Sequence, residues 1–418
     1  MSTPALRLGI LGASESVQSH HLPALHAHPT RFELTIIHDA STAILQHCQK
    51  RFNVSETTNS PSDVLNHPDV DLVLNLLPFE DHEQHTIAAL EAGKHVMVEV
   101  PLSLSIDGLR RIRAACKKGA ANSRSEGGPK VFVGCARRYT PCFTEIFKKE
   151  LASIDRIYYA RCRNITGPLA TPKLSTTNGL NDKTMNLSLN GTSNGNFNQS
   201  LTTSSETQTT SPPNRVAFAR FLGTVGSHDL SLIRESLQFP DAVANIAITD
   251  PFYSAIFHYT HDAEDEHPFT MLYEAGIDSV PRCDSHLTVY GAQKTVSLEY
   301  DFPCPSACGD GAMRVIVEEA EHPSEEHTPV NASPANGTDG ANGANGVTTN
   351  GKPRVKRTVI TSTVAEAYER QFEEMYSFFT GGETAKTDTN DALNDLKLVR
   401  MIFEHYDRQC GTIRTPLG

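Results

Sequence analysis

The sequence predicts an α/β chain in two parts: a parallel sheet covered by helices on both faces, then an α/β region built on a largely antiparallel open sheet. Three observations predict this. Apolar runs alternate with helical stretches through the first 145 residues. Those runs are apolar throughout rather than at every second residue, as strands buried on both faces are. Beyond residue 146, strand-like segments follow one another with few helices between them, which favours antiparallel pairing. The two parts are therefore 1–145 and 146–418.

In order, the first part reads as a strand Leu6 to Leu11 ending at Gly12, a helix Leu22 to His28, and a strand Phe32 to His38 ending at Asp39. A helix Thr42 to Phe52 and a strand Val70 to Leu77 follow, the latter stopped by Pro78. His82 to Ala92 is helical and closed by Gly93, a residue suited to a helix C-terminus. Val96 to Val100 is a strand stopped by Pro101. Leu104 to Lys118 is helical, with Leu109, Ile112 and Cys116 on one face, and Val131 to Cys135 is a strand. In the second part, strand character falls at Arg156–Arg163, Ala242–Thr249, Ser254–Thr260, Thr270–Ala275, His286–Tyr290, Thr295–Tyr300 and Met313–Glu318. Gly226 to Leu237 reads as a helix. Two closing helices carry apolar stripes through Val364, Tyr368, Phe372 and Met375, and through Leu393, Leu396, Val399 and Ile402, the second capped by Asn390 or Asp391.

Two stretches break the pattern. Residues 169–214 are dominated by Ser, Thr and Asn, and residues 322–354 repeat Asn-Gly. Neither buries enough apolar surface to offset ordering, so both read as disordered insertions. They account for most of the low hydrophobic content of 38%.

The net charge of −12 argues against direct nucleic-acid binding. No apolar run is long enough for a membrane span, and the N-terminal residues lack the pattern of a secretory signal. The expected location is cytoplasmic, with the nine cysteines as reduced thiols. Cys304 and Cys308 lack a second pair at zinc spacing, so no metal site is expected. Sequons such as Asn164-Ile165-Thr166 read as loops.

The first strand turns at Gly12-Ala13-Ser14, with Val17 further on. The dinucleotide fingerprint places glycines at all three positions, for a tight turn, close backbone approach and helix packing. Here Gly12 is kept, while Ser14 and Val17 replace the others. Asp39 ends the next strand 22 residues beyond Val17, near the spacing of the acid that binds the ribose hydroxyls. A carboxylate there favours NAD, with NADP the alternative. The first part is thus a Rossmann dinucleotide-binding domain.

The order Asn75-Leu76-Leu77-Pro78, His82, Gly93-Lys94-His95-Val96, Glu99-Val100-Pro101 and Arg138-Tyr139-x-Pro141 resembles the glucose-fructose oxidoreductase/inositol dehydrogenase/rhizopine-catabolism (Gfo/Idh/MocA) family. The resemblance implies a C-terminal α/β domain whose open sheet often forms an oligomer interface, so a homo-oligomer through that sheet is an expectation. It also implies a small-molecule substrate, and it puts Gly12, Ser14, Asp39, Pro78, His82 and Glu99 on the cofactor side. The family's reactive lysine stands between the glutamate and proline; this chain has Val100. The family segment Asp-x-Gly-x-His-x-x-Asp is matched by Thr224 to Ser231, keeping Gly226 and His228 but neither aspartate.

His228 is the candidate proton carrier, since an imidazole suits transfer near neutrality. His95 reads as a packing or backbone contact, Arg138 and Tyr139 as residues of the domain junction, and Arg161 and Arg163 as solvated strand residues. The expected function is an NAD(P)-dependent oxidoreductase acting on a hydroxyl or carbonyl of a small polyol, sugar or secondary metabolite, with a degenerate catalytic set. The alternative is a non-catalytic binding or regulatory protein on the same scaffold, like the family's fungal galactose-regulon repressor. Isomerisation or elimination with bound cofactor is a third reading.

Overall fold

The computed structural model describes residues 5–167, 213–260, 267–300, 311–321 and 354–411. The insertions expected at 169–214 and 322–354 lie outside these residues except at their last positions, and so do Cys304 and Cys308. Within the described residues the two-part architecture is borne out.

Six parallel strands form the first sheet: β1 (Leu6–Leu11), β2 (Phe32–His38), β3 (Glu56–Thr58), β4 (Leu72–Asn75), β5 (His95–Glu99) and β6 (Val131–Gly134). Their order is β3-β2-β1-β4-β5-β6. The sheet reverses direction of growth between β1 and β4, and the crevice at the carboxyl ends of those strands is where such folds take ligands. Helices α1 (Leu22–His26), α2 (Thr42–Phe52), α3 (Pro61–Asn66), α4 (His82–Glu91) and α5 (Ile106–Gly119) connect the strands. The first helix is longer than expected, since helical turns run over 15–26 and include a wider π-type turn at Val17–His21. Ser41 and Ser105 start α2 and α5 by accepting from Ile44 N–H and Gly108 N–H.

The second sheet has eight strands in the order β14-β13-β12-β11-β7-β10-β9-β8. They are β7 (Tyr159–Thr166), β8 (Ala242–Thr249), β9 (Phe252–Tyr259), β10 (Phe269–Ile277), β11 (Cys283–Tyr290), β12 (Lys294–Tyr300), β13 (Ala312–Glu321) and β14 (Arg354–Thr363). β10 pairs parallel with β7, and the other pairings in this sheet are antiparallel. One face is packed by α6 (Lys148–Ala152), α7 (Pro213–Phe221), α8 (Ser227–Leu237) and part of the last helix.

Three sequence expectations change. Asn164 is not in a loop: it is fully buried in β7 and hydrogen-bonded there. Cys283 is disulfide-bonded, so the thiols are not uniformly reduced. The last helix, α10 (Thr389–Gly411), is capped by Asp388, whose Oδ1 accepts from Asn390 N–H at 2.8 Å and Asp391 N–H at 2.9 Å.

The closing helices tie the two sheets together. α9 (Val364–Thr380) places Tyr368, Phe372, Met375 and Phe379 in the same core as Leu8 and Ile10 of β1. α10 is apolar on two faces: Ala392 and Leu396 join the parallel-sheet core, and Leu398, Ile402 and Phe403 join the other. Between them lies a buried ionic junction. Arg138 binds Glu235, Asp391 and the hydroxyl of Ser231, the last at 2.8 Å. Arg234 binds Asp391 at 2.7 Å and Asp395 at 2.8 Å. Tyr139 donates to or accepts from Thr387 Oγ1 at 2.6 Å, so both predicted junction residues lie there.

Candidate functional site

The first element is the turn after β1. Gly12 has φ +91°, and a Cβ there would stand 2.8 Å from the Leu76 carbonyl oxygen, so only glycine keeps β1 this close to the loop after β4. Asp39 organises the turn from the side. Its Oδ2 accepts from Ala13 N–H at 2.9 Å and its Oδ1 from Ser41 N–H at 2.8 Å. Each carboxylate oxygen retains acceptor capacity for a ribose hydroxyl. Ser14 is exposed at the mouth of the turn, whereas Val17 points into the core, so the missing third glycine does not obstruct the surface. The amides at the start of the 15–26 helix face the same crevice end as the strands' carboxyl termini. These residues fit a dinucleotide.

The loop after β4 is built to hold a shape. Asn75 Nδ2 donates to the His82 carbonyl at 2.9 Å, and Pro78 opens a short 3-10 turn. The buried His82 ring lies between two carbonyls, Leu77 O at 2.9 Å and Pro101 O at 2.8 Å. Burial lowers its pKa although both carbonyls favour the charged form. His82 thus staples the β4 loop to the β5 loop, and its ring is not presented to the crevice.

Glu99 ends β5. His21 Nε2 donates to its Oε1 at 2.9 Å, and the His21 ring packs edge-on against Tyr368, with centroids 4.7 Å apart. Burial works against the charge of Glu99, yet the bond from His21 and the nearby His228 and His82 rings hold its pKa below the usual carboxylate range. Glu99 is an ionised, oriented carboxylate.

Facing it is the start of α8. From 221 to 233 every residue is buried except Thr224 and His228, which lie four residues apart. Thr224 turns its hydroxyl back to the Arg220 carbonyl at 3.0 Å and the Phe221 carbonyl at 3.2 Å. His228 Nδ1 lies 3.9 Å from the Cys135 sulfur. Burial first, then the Arg137 guanidinium, push the His228 pKa down to about 4, and Glu99 opposes them. The Cys135 thiol is pushed up to about 12 by burial, so it is a protonated neighbour of a neutral ring.

Sequence reasoning missed the cluster behind His228. Asp229, fully buried, accepts from Arg137 at 3.1 Å, from Asn164 at 2.8 Å and 3.0 Å, from Tyr300 at 3.1 Å and from Tyr273 at 3.4 Å. Arg137 also lies over the Tyr300 ring, 4.6 Å from its centroid. The available signal was the position of Asp229 beside His228 and of Arg137 beside Arg138.

His95 does prove to be a backbone contact: its Nδ1 accepts from Lys130 N–H at 3.0 Å. Arg161 and Arg163 are tied to Glu274 and Asp284 on neighbouring strands. A cavity of about 920 Å³ opens elsewhere, beside Arg7, Lys94 and Arg124 at the amino ends of the parallel strands. Its cations are already engaged, Arg7 and Arg124 by Asp71 and Lys94 by the His67 and Val70 carbonyls. It lies at the wrong end of the sheet for a dinucleotide. Among the described residues, no group of three His, Cys, Asp or Glu side chains is arranged to hold a metal, and no helix is long and apolar enough to cross a membrane.

Residues 6–122 match the model of the oxidoreductase family with an NAD-binding Rossmann fold. Residues 6–122 carry the NAD-binding Rossmann domain of the Gfo/Idh/MocA oxidoreductase family. Relatives include a scyllo-inositol 2-dehydrogenase (NADP(+)) of Bacillus subtilis, 30% identical over 27% of this chain and 31% of that protein. An inositol 2-dehydrogenase of Acidothermus cellulolyticus is 27% identical over 36% of this chain and 41% of that one. The chain spans less than half the length of these curated relatives. A 3-ketoreductase from Actinomadura kijaniata, solved with NADP and TDP-benzene, shares the fold at a TM-score of 0.61 and 14% identity, covering 95% of this chain and 96% of that one. In this domain, the place of the family lysine is apolar in its surroundings as well as its identity. Val100 is only 6% exposed and sits in the core with Leu102, Val133 and Leu396.

Two histidines held neutral make the fold acid-sensitive. His95 and His228 are both neutral with pKa values near 4, against about 6.5 in an unfolded chain. Between those values the unfolded chain binds more protons. Stability is therefore full above about pH 6.5 and falls as pH drops toward 4, by up to about 3 kcal/mol per histidine. Urea midpoints measured from pH 7 to pH 4 should fall over that window, and His95→Gln should make the fall shallower. An unchanged slope would remove His95 from this account.

Proposed function

We propose that this protein is an NAD(P)-dependent oxidoreductase acting on a hydroxyl or carbonyl of a small polyol, sugar or secondary metabolite, with His228 carrying the proton. The observation that carries the reading is the meeting of partly exposed His228 with Glu99 and Arg137 next to a turn that fits a dinucleotide. The Gfo/Idh/MocA relatives named as inositol dehydrogenases, and the 3-ketoreductase of the same fold, support the substrate class.

Gly12, Ser14 and Asp39 would hold the cofactor, with Pro78 and His82 shaping the wall beside it. A bound nicotinamide supplies the hydride exchange. His228, unprotonated through the neutral range, accepts the hydroxyl proton. A pKa near 4 makes it a weak base, so the step leans on charge. Arg137, the cation beside His228, stabilises the oxygen as it becomes negative and so stands in for the ammonium missing at Val100. Cys135 faces Nδ1 and leaves Nε2 for the substrate. Glu99, held by His21, orients polar groups on the opposite side.

A second reading, a binding or regulatory protein, is favoured by one specific fact: the family lysine and the first aspartate are gone, with Val100 in the core and Thr224 bonded to its own helix. Binding of NADH and NADPH by fluorescence, followed by a panel of polyols, sugars and ketones read by reduced-nicotinamide absorbance, separates the two. Tight binding with no turnover on any substrate leaves the regulatory reading.

Asp39 is the determinant proposed for NAD preference. Because its oxygens also hold Ala13 and Ser41, Asp39→Asn is the milder test, since it removes the charge and keeps one of the two acceptors. The NADH-to-NADPH affinity ratio should fall about tenfold, as repulsion of the 2′-phosphate is lost. An unchanged ratio would assign the preference elsewhere.

A further inference from the structure

Beside the proposed site lies a narrow apolar slot that none of the roles above uses. Its walls include Val100, Leu102, Leu104, Leu222, Leu230 and Phe403, and its volume is about 30 Å³. A single water needs roughly 10–15 Å³ on this measure, so the slot has room for about two waters or a two-carbon group. Two of its rim residues, Val100 and Ser227, are the chain neighbours of Glu99 and His228.

Three polar side chains reach the slot, and two are satisfied. Ser103 Oγ donates to Glu83 and accepts from Ser105 N–H, and Asp395 accepts from Arg234 at 2.8 Å. Ser227 is different. It is only 5% exposed, and its Oγ has no hydrogen-bond partner. A helical serine or threonine ordinarily returns its hydroxyl to a carbonyl one turn back, as Thr224 does nearby. A buried hydroxyl without a partner is costly, and this one borders an opening walled mostly by hydrocarbon.

We propose that the slot is a ligand subsite for a one- or two-carbon branch bearing a single oxygen, such as a methoxy or hydroxyethyl arm, with that oxygen bonded to Ser227 Oγ. The assignment of this branch to the substrate rests on the oxidoreductase reading. It narrows the substrate from a bare polyol to one carrying a short, mostly apolar arm.

The test uses the full chain with two probes, ethanol and xenon, located by crystallography of soaked and pressurised crystals, with ethanol affinity measured by NMR titration. Ethanol should occupy the slot with its hydroxyl on Ser227, and xenon should occupy the same space. Ser227→Ala should weaken ethanol at least threefold and leave xenon occupancy unchanged; Val100→Ile, which fills the slot, should exclude both. A water bonded to Ser227 that neither probe displaces overturns the subsite. Ethanol binding indifferent to both substitutions overturns it equally, as an adventitious additive only. NADH binding measured on the same protein separates the two proposals. A probe-filled slot in a chain that binds no NAD(P)H supports the subsite and removes the redox reading. NAD(P)H turnover with an undisplaced water does the reverse.

Discussion

His228→Ala should lower kcat by about 10²–10⁴-fold, the usual contribution of a positioned acid–base group, while NADH and NADPH affinities stay within about twofold. The expectation follows from position. His228 is the titratable residue of the α8 start that is not buried; its Nδ1 faces the Cys135 thiol, and Glu99 is the carboxylate near it. Its pKa of about 4 sets the pH profile. A neutral ring is needed as acceptor, so kcat for oxidation should be flat from neutrality down to about pH 5 and fall toward pH 4. A profile that instead breaks near pH 6.5 would mean that substrate or cofactor lifts His228 back to its ordinary range. A variant that keeps its full kcat would end the assignment of His228 as proton carrier. Equilibrium binding by fluorescence and single-turnover absorbance, taken together, separate loss of chemistry from loss of the site.

The second large effect is expected where the family lysine is missing. Val100→Lys should destabilise the protein by about 2–4 kcal/mol and yield no polyol oxidation. The Val100 amide is fixed to the Gly134 carbonyl at 3.0 Å, so the side chain cannot be turned outward by moving the strand end. It projects among Leu102, Val133 and Leu396, beside a slot with room for about two waters. An ammonium there is stripped of water, and the nearest carboxylate on the slot, Asp395, is already bonded to Arg234. Val100→Met separates length from charge: it should cost clearly less than lysine. Urea midpoints of the three proteins measure the effect. A lysine variant as stable as the native chain that oxidises inositol-type polyols would place position 100 back among the reactive groups.

Much of the fold is legible in local pattern. Most strands of the parallel sheet are apolar runs with turn residues at their ends, and β1, β2, α2 and β6 fall within a residue or two of where periodicity puts them. The misses have a common cause. β3 is three polar residues, held by pairing with β2. β14 is exposed at each of its first six positions, so it carries no core-facing alternation, and ten residues of pairing with β13 hold it. Pairing of this kind leaves little mark on side-chain polarity. The cap of α10 was misplaced by two residues because Asp388, Asn390 and Asp391 are all acceptable caps, and only backbone geometry selects among them.

The candidate site divides along the same line. The sequence alone determined the turn at Gly12, the carboxylate at Asp39, the histidine at 228, and the absence of a lysine at 100 and an acid at 224. Those are properties of single positions within motifs. Only the tertiary structure decided that Val100 is a core residue beside a slot, that Glu99 is held by His21, and that Arg137 and Asp229, 92 residues apart in the chain, meet behind His228. The physical reason is that local order is set by neighbours at the helix and strand periods. A buried charge is stable only with a partner, and which partner it meets depends on how distant segments cross.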